Sequence, residues 1–174
     1  MAKVRLLLAT ALLGTLLMVP ATANAARPAA TDLFTDIPVS GTIASIGGTF
    51  TGTLDVTRFT VQNGALAAQG LLTGTLKDAL GTTIGTVTNA AVTIPVTDIA
   101  ATACEILHLE LGPIDLNLLG LMVHLDQVVL DITAQPGPGN LLGNLLCAIA
   151  GLLDSNAPLN FIANLLNQLL GLLG

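Results

Sequence analysis

Tryptophan and tyrosine are absent from the 174 residues, and the only aromatic side chains are Phe34, Phe50, Phe59 and Phe161. Surfaces that stack sugar rings or nucleobases normally use such side chains, so a conventional carbohydrate-binding module is not expected. Positive charge is also scarce. Five Lys and Arg stand against eleven Asp and Glu, and none occurs after Lys77. Binding to nucleic acid requires cations that replace the counterions on phosphates, so no nucleic-acid partner is expected. Docking on anionic membranes is disfavoured for the same reason. The acidity itself reads as the solubilising charge of an exported domain.

Catalytic constellations are missing too. Serine occurs only as Ser40, Ser45 and Ser155, with no Gly-x-Ser-x-Gly elbow. There is no His-Glu-x-x-His, no phosphate-cradling Gly loop ending in Lys-Ser/Thr, and no Tyr for acid–base work. Pairs of carboxylates exist, but any eleven acids contain pairs. The expectation is a protein that is not an enzyme, with no catalytic residue and no cofactor.

What is present begins with an export signal. Lys3 and Arg5 precede an uncharged run from Leu6 to Val19, Pro20 breaks it, and Ala23-Asn24-Ala25 supplies the small–x–small pattern of a cleavage site. The cut is placed between Ala25 and Ala26. As a helix the run rises about 21 Å, short of the roughly 30 Å hydrocarbon core, which argues against a membrane anchor. The expected compartment is secreted or cell envelope. Beyond the cut, only Arg27, Arg58 and Lys77 are basic.

Residues 26–38 show no periodicity and read as an exposed leader, and residues 39–174 as one domain. From Val39 to Val96 apolar residues recur at every second place among Thr and Gly, the period of strands. Phe50, Leu54 and Val56 alternate with Thr51, Thr53 and Asp55, Gly52 filling the inner slot. The phase then slips to Phe59 and Val61, which predicts a bulge. Leu66, Ala68, Gly70, Leu72, Gly74 and Leu76 continue the alternation. Gly47-Gly48 and Asn63-Gly64 read as two-residue hairpin turns. Ile84–Val87 and Val92–Val96 read as two short strands, the second on an edge because of Pro95.

The stretch from Cys104 to Gln135 carries the fold argument. Its apolar residues fall in triads, and folding the chain at Leu119-Gly120 pairs every one with a residue whose number sums with it to 239. Leu118 meets Leu121, Leu116 meets Val123, and Leu107 meets Ile132. A two-residue loop ending in Gly produces that mirror register. Gly112-Pro113 and Asp126-Gln127 mark a shared phase slip, hence a bend. The same register sets His124 opposite Asp115 and His108 opposite Asp131. An imidazole beside a carboxylate suits metal or acid–base work. Lacking a third ligand at metal-binding spacing, both pairs are read as cross-strand contacts on a solvated face, with no metal.

Cys104 and Cys147 are the only cysteines. In an exported protein an even count favours a disulfide, closing a loop of about 44 residues for roughly 4 kcal/mol in the chain-entropy model. A nucleophilic thiol lacks a partner base. After the turn cluster Gln135–Gly139 the period becomes helical, with Asn140 as N-cap. One stripe is Leu141, Leu142, Leu145, Leu146, Ile149, Leu152 and Leu153. Asp154–Pro158 breaks the run, and a second stripe follows: Leu159, Ile162, Leu165, Leu166, Leu169, Leu170 and Leu173. Its polar face is Asn160, Asn164, Asn167 and Gln168.

Cys104-Glu105-Ile106-Leu107, Gly112-Pro113, Leu118-Leu119-Gly120-Leu121 and the segment from Gly139 to Cys147 resemble a family of small exported bacterial proteins of unknown function. The resemblance implies that the two cysteines and the Gly/Pro turns belong to the scaffold, and carries no activity.

The expected fold is mainly β: an antiparallel sandwich or partly open barrel over residues 39–135, with a long bent hairpin, capped by two amphipathic helices over 140–174. Two roles fit it. One is an envelope or extracellular structural and interaction module with a protein partner. The other is a carrier of an apolar ligand held between sheet and Leu-rich helices. The exported form is predicted to begin at Ala26 and to be oxidised. Intact mass of the secreted protein should lack residues 1–25 and read two hydrogens below the dithiol; a retained N-terminus or an alkylatable Cys104 would contradict this.

Overall fold

The computed structural model describes residues 33–102, 104 and 106–173. The expected signal region, the expected cut between Ala25 and Ala26, and residues 26–32 lie outside them. Eight strands form one antiparallel sheet, not closed into a barrel, and two helices follow. In chain order these are β1 (Ile37–Ile43), β2 (Gly48–Gln62), β3 (Ala65–Lys77), β4 (Thr83–Thr102), β5 (Ile106–Leu111), β6 (Ile114–Leu118), β7 (Leu121–Leu125), β8 (Val128–Thr133), α1 (Leu141–Asp154) and α2 (Leu159–Leu173). The spatial order is β6-β7-β1-β2-β3-β4-β5-β8.

The ribbon register is as the mirror pattern requires. Ile114 pairs with Leu125, Leu116 with Val123 and Leu118 with Leu121 in the tip half, and Leu107 with Ile132 and Leu111 with Val128 in the base half. The turn at Leu119 (φ 54°) and Gly120 (φ 84°) has both central residues left-handed, the geometry that suits the twist of the flanking strands. Asn117, exposed on the outer face as expected, also accepts a hydrogen bond from the Gly120 amide at 3.0 Å. Leu119 rests over Gly85 of β4, where an added Cβ would lie 2.7 Å from Leu119 Cδ1. The tip half turns from the base half at Gly112-Pro113 and Asp126-Gln127. It reaches the far end of the sheet, where β7 pairs with β1 at Gly41–Leu125 and Thr42–His124. Ser40 ties the corner: its carbonyl accepts from the Asp126 amide at 2.9 Å and its hydroxyl donates to Asp126 Oδ2 at 2.6 Å.

Inner-face residues make one core with no buried polar or charged residue among those described. Phe50, Phe59, Leu72, Leu76, Leu107, Leu109 and Leu111 are at most 1 % exposed, as their alternation predicts. The phase slip in β2 is a bulge, with Val56 opposite Gly70 and Arg58 opposite Gln69. Thr57 is the extra residue, so Val56 and Phe59 both point inward. Val123 is fully buried, whereas its partner Leu116 is only half-buried.

Four expectations need correction. The exposed leader does not extend to Pro38: Phe34 is fully buried and packs edge-on against Phe59, centroids 5.9 Å apart, and Ile37 already belongs to β1. A segment with no period can still be held by two apolar anchors. Gly47-Gly48 is not a two-residue turn, because Gly48 pairs with Ile43 and the chain reverses over residues 44–47. Ile84–Val87 and Val92–Val96 belong to one long interior strand, β4, and Pro95 is not on an edge. It stands where β4 leaves β3, at the Ala67–Pro95 pair, and turns to β5, starting at Val96–Leu111, so its missing N–H falls at a corner. Asn140 stands at the α1 N-cap without a side-chain capping bond. Asn144 ties that end instead, its side chain bonding both the amide and the carbonyl of Gly137 at 3.0 Å.

The helices cover the inner face with Leu146, Ile149, Ile162, Leu166 and Leu169, each at most 2 % exposed. Asn167 departs from the polar face predicted for it. Beyond Leu54 the outer edge of β2 has lost β1 as a partner; Phe34 O accepts the Val56 amide at 2.8 Å, and Asn167 satisfies Phe59. Its Oδ1 accepts from Phe59 N at 2.7 Å and its Nδ2 donates to Phe59 O at 2.9 Å, so one carboxamide stands in for a neighbouring strand's peptide. Asn167→Ala orphans both partly buried groups and should cost about 1–3 kcal/mol. Asn167→Asp should also destabilise, since a carboxylate cannot donate to Phe59 O. Exposed Asn164→Ala should stay within about 0.5 kcal/mol. Urea unfolding of the three variants checks this, and equal midpoints for Asn167→Ala and Asn164→Ala would contradict it.

Candidate functional site

The chemistry-bearing side chains gather on the outer face of β4, β5 and β8. In β5 the period of two sends Leu107, Leu109 and Leu111 inward, and His108 and Glu110 outward as neighbours on one face. β8 sets Asp131 directly across from His108. β4 contributes through a bulge: Val96 pairs with Leu111 and Asp98 with Glu110, which leaves Thr97 as the extra residue. Without the bulge, in unbroken alternation, Asp98 would share the inward phase of Ile94 and Val96. With it, Asp98 turns outward beside Glu110. Thr97 holds the bulge by donating its hydroxyl to Gly112 O at 2.9 Å.

The contacts are short and directional. His108 Nδ1 lies 2.7 Å from Asp131 Oδ1, and Nε2 lies 3.2 Å from Glu110 Oε1. Gln127 Nε2 donates to the other Glu110 oxygen. One ligand atom each from Asp98, His108 and Glu110 lie within 4.8 Å of one another. These are the residues that could hold a metal. The Asp131 hydrogen bond, followed by the Glu110 hydrogen bond, raises the His108 pKa above its usual 6.5 and outweighs the opposing desolvation.

The structure brings His108 to Asp131 and His124 to Asp115 (2.8 Å), as the mirror register requires, but in different halves of the bent ribbon. Glu110 and Asp98 were missed. The spacing His108-x-Glu110 was the available signal for the first, and no local pattern announced the β4–β5 register that supplies the second. Cys104, in the turn before β5, and Cys147, on α1, are also brought together, with Cys147 Sγ 4.0 Å from the Cys104 carbonyl oxygen. No disulfide joins the two in the structure.

Away from this face, a groove of about 630 Å³ opens between β2 and α2, lined by Val56, Arg58, Asn167 and Leu170 among others. Another, of about 280 Å³, lies between α1 and α2, lined by Leu141, Leu145, Gln168, Gly171 and Leu172. No helix among the described residues is long and apolar enough to cross a membrane. Compared with known protein families, curated proteins and solved structures, the chain matches none.

A histidine whose folded pKa is raised contributes stability that is complete below the unfolded value near 6.5 and is lost as pH climbs through the folded value. Asp131→Asn removes the largest cause, so the His108 titration, followed by proton NMR with a chelator present, should move down toward 6.5 and the pH dependence of stability should flatten. An unmoved midpoint would contradict the assignment.

Proposed function

We propose that the protein is an exported, non-catalytic β-domain that works in the envelope or extracellular space as a structural and interaction module, meeting a protein partner on the outer side of its helix pair. One observation carries this reading. The inward stripes of α1 and α2 are taken up by the core, yet Leu141 (63 % exposed) and Leu172 (40 %) remain outside, beside the groove between the helices. The two helices together carry a single charge, Asp154. An uncharged surface with exposed leucines around a shallow groove suits contact with another protein, whose apolar side chains can enter it.

Export rests on the N-terminal signal pattern, and the disulfide on the even cysteine count together with the approach of Cys147 to Cys104. The alternative, a carrier of an apolar ligand, draws on the larger groove, where Arg58 offers a cation beside Val56 and Leu170. That groove is open to solvent, and the Leu side chains between sheet and helices are already in contact, which favours the first reading.

The discriminating experiment is native mass spectrometry of the protein purified from its own secretion, for wild type and for Leu141→Glu/Leu172→Glu. A protein partner retained by the wild type and lost from the double variant, with unchanged unfolding midpoints, is the expected result. A stoichiometric lipid retained by both forms would replace this reading with the carrier.

A further inference from the structure

We propose that Asp98, His108 and Glu110 bind one divalent transition-metal cation of the zinc type on the outer face of β4 and β5, independently of the helix-pair surface. Reading the histidines as plain surface ion pairs counted two ligands at each; the Thr97 bulge adds a carboxylate from β4 and the strand period adds Glu110. With Asp131 kept as the partner of Nδ1 and not as a ligand, that makes three protein ligands from two adjacent strands.

The distances suit a tetrahedral ion. Zn–N and Zn–O bonds of about 2.0–2.2 Å place neighbouring ligand atoms roughly 3.4 Å apart. His108 Nε2 and Glu110 Oε1 are already 3.2 Å apart, and one ligand atom from each of the three residues lies within 4.8 Å of the others. A water molecule would take the fourth position.

The imidazole separates this cluster from an ordinary acidic patch. With Asp131 accepting from Nδ1–H, the neutral imidazole carries its lone pair on Nε2, 3.2 Å from Glu110 Oε1, where a metal ion would displace the proton of the imidazolium. That arrangement of carboxylate, imidazole and metal is the usual one at protein metal sites. Gln127 holds the second oxygen of Glu110 in the same supporting way. A nitrogen with two carboxylate oxygens favours zinc-like ions over Ca²⁺ or Mg²⁺, which prefer all-oxygen shells.

Charge points the same way. Asp98, Glu110 and Asp131 crowd one face, while the only Lys and Arg among the described residues, Lys77 and Arg58, stand on β3 and β2. A bound dication would offset that repulsion and clamp β4 to β5 at the bulge.

The test is calorimetric titration of the full exported protein, stripped with a chelator and exchanged into chelator-free buffer, with Zn²⁺ alone. One Zn²⁺ per chain is expected. His108→Gln should weaken binding by at least about tenfold, and Asp131→Asn by about 10–100-fold through the orienting bond. Asp115→Asn, at the other histidine pair, should change nothing. In the wild type, where no variant has to fold, Zn²⁺ should shift the His108 ring resonances and leave those of His124 in place. No saturable uptake, equal uptake by His108→Gln, or a Zn²⁺ response confined to His124 would overturn the proposal. So would Ca²⁺ competing with Zn²⁺ on equal terms.

Discussion

The mirror register of the ribbon, fixed by the left-handed pair Leu119-Gly120, is the constraint on which the rest of the structure depends. A slip of one residue would turn Leu107, Leu109, Val123, Leu125 and Ile132 to solvent at once, so burial on the inner face holds the register that the turn starts. Because the ribbon bends, a single register serves both ends of the sheet. Its base half extends β4 with β5 and β8, and its tip half reaches β1 through β7. The same alternation that commits leucines to the core commits His108, Glu110 and Asp131 to the outside. The polar face is thus a consequence of the core rather than a separate design.

With no polar or charged residue fully buried among those described, the core supplies stability but little orientation. Orientation comes from polar groups at its margins. Asn167 sets α2 against the open edge of β2, Asn144 holds the first turn of α1 to the Gly137 loop, and Ser40 fastens the ribbon corner to β1. The two asparagines satisfy backbone groups that have no partner in a strand or helix, and leaving such groups unpaired costs more than the bonds themselves contribute. In a sheet that does not close on itself, these positions decide how the helices sit.

Features governed by neighbours in sequence could be read in advance. The ribbon, the β2 bulge, the Asn63-Gly64 turn and both helical stripes each follow from a local period or a turn pair. What could not be read depends on which strand lies beside which. Pro95 looked like an edge residue because proline lacks an N–H. In the fold it sits at a corner where β4 exchanges β3 for β5, and only the sheet order reveals that. Asn167 looked solvated because its helix face is polar. Its role depends on β1 beginning only at Ile37, opposite Leu54, which leaves Phe59 without a β1 partner. Asp98 is the same case at the site, since the bulge that turns it outward is defined only by pairing with β5.

The molecule presents two chemically different surfaces, and this separation limits what each can meet. Around β4, β5 and β8, three carboxylates stand near one imidazole with no Lys or Arg on those strands. Such a face repels anionic partners and attracts small cations, and salt screens its reach beyond about 10 Å. The outer side of α1 and α2 carries one charge and exposes Leu141 and Leu172. An approaching protein gains there by removing apolar area from water, a short-range gain that salt does not screen. The two modes differ in range and in ionic-strength dependence, and they draw on different strands and helices. A cation on the sheet and a protein on the helices would therefore compete for no side chain, and only the shared core joins them.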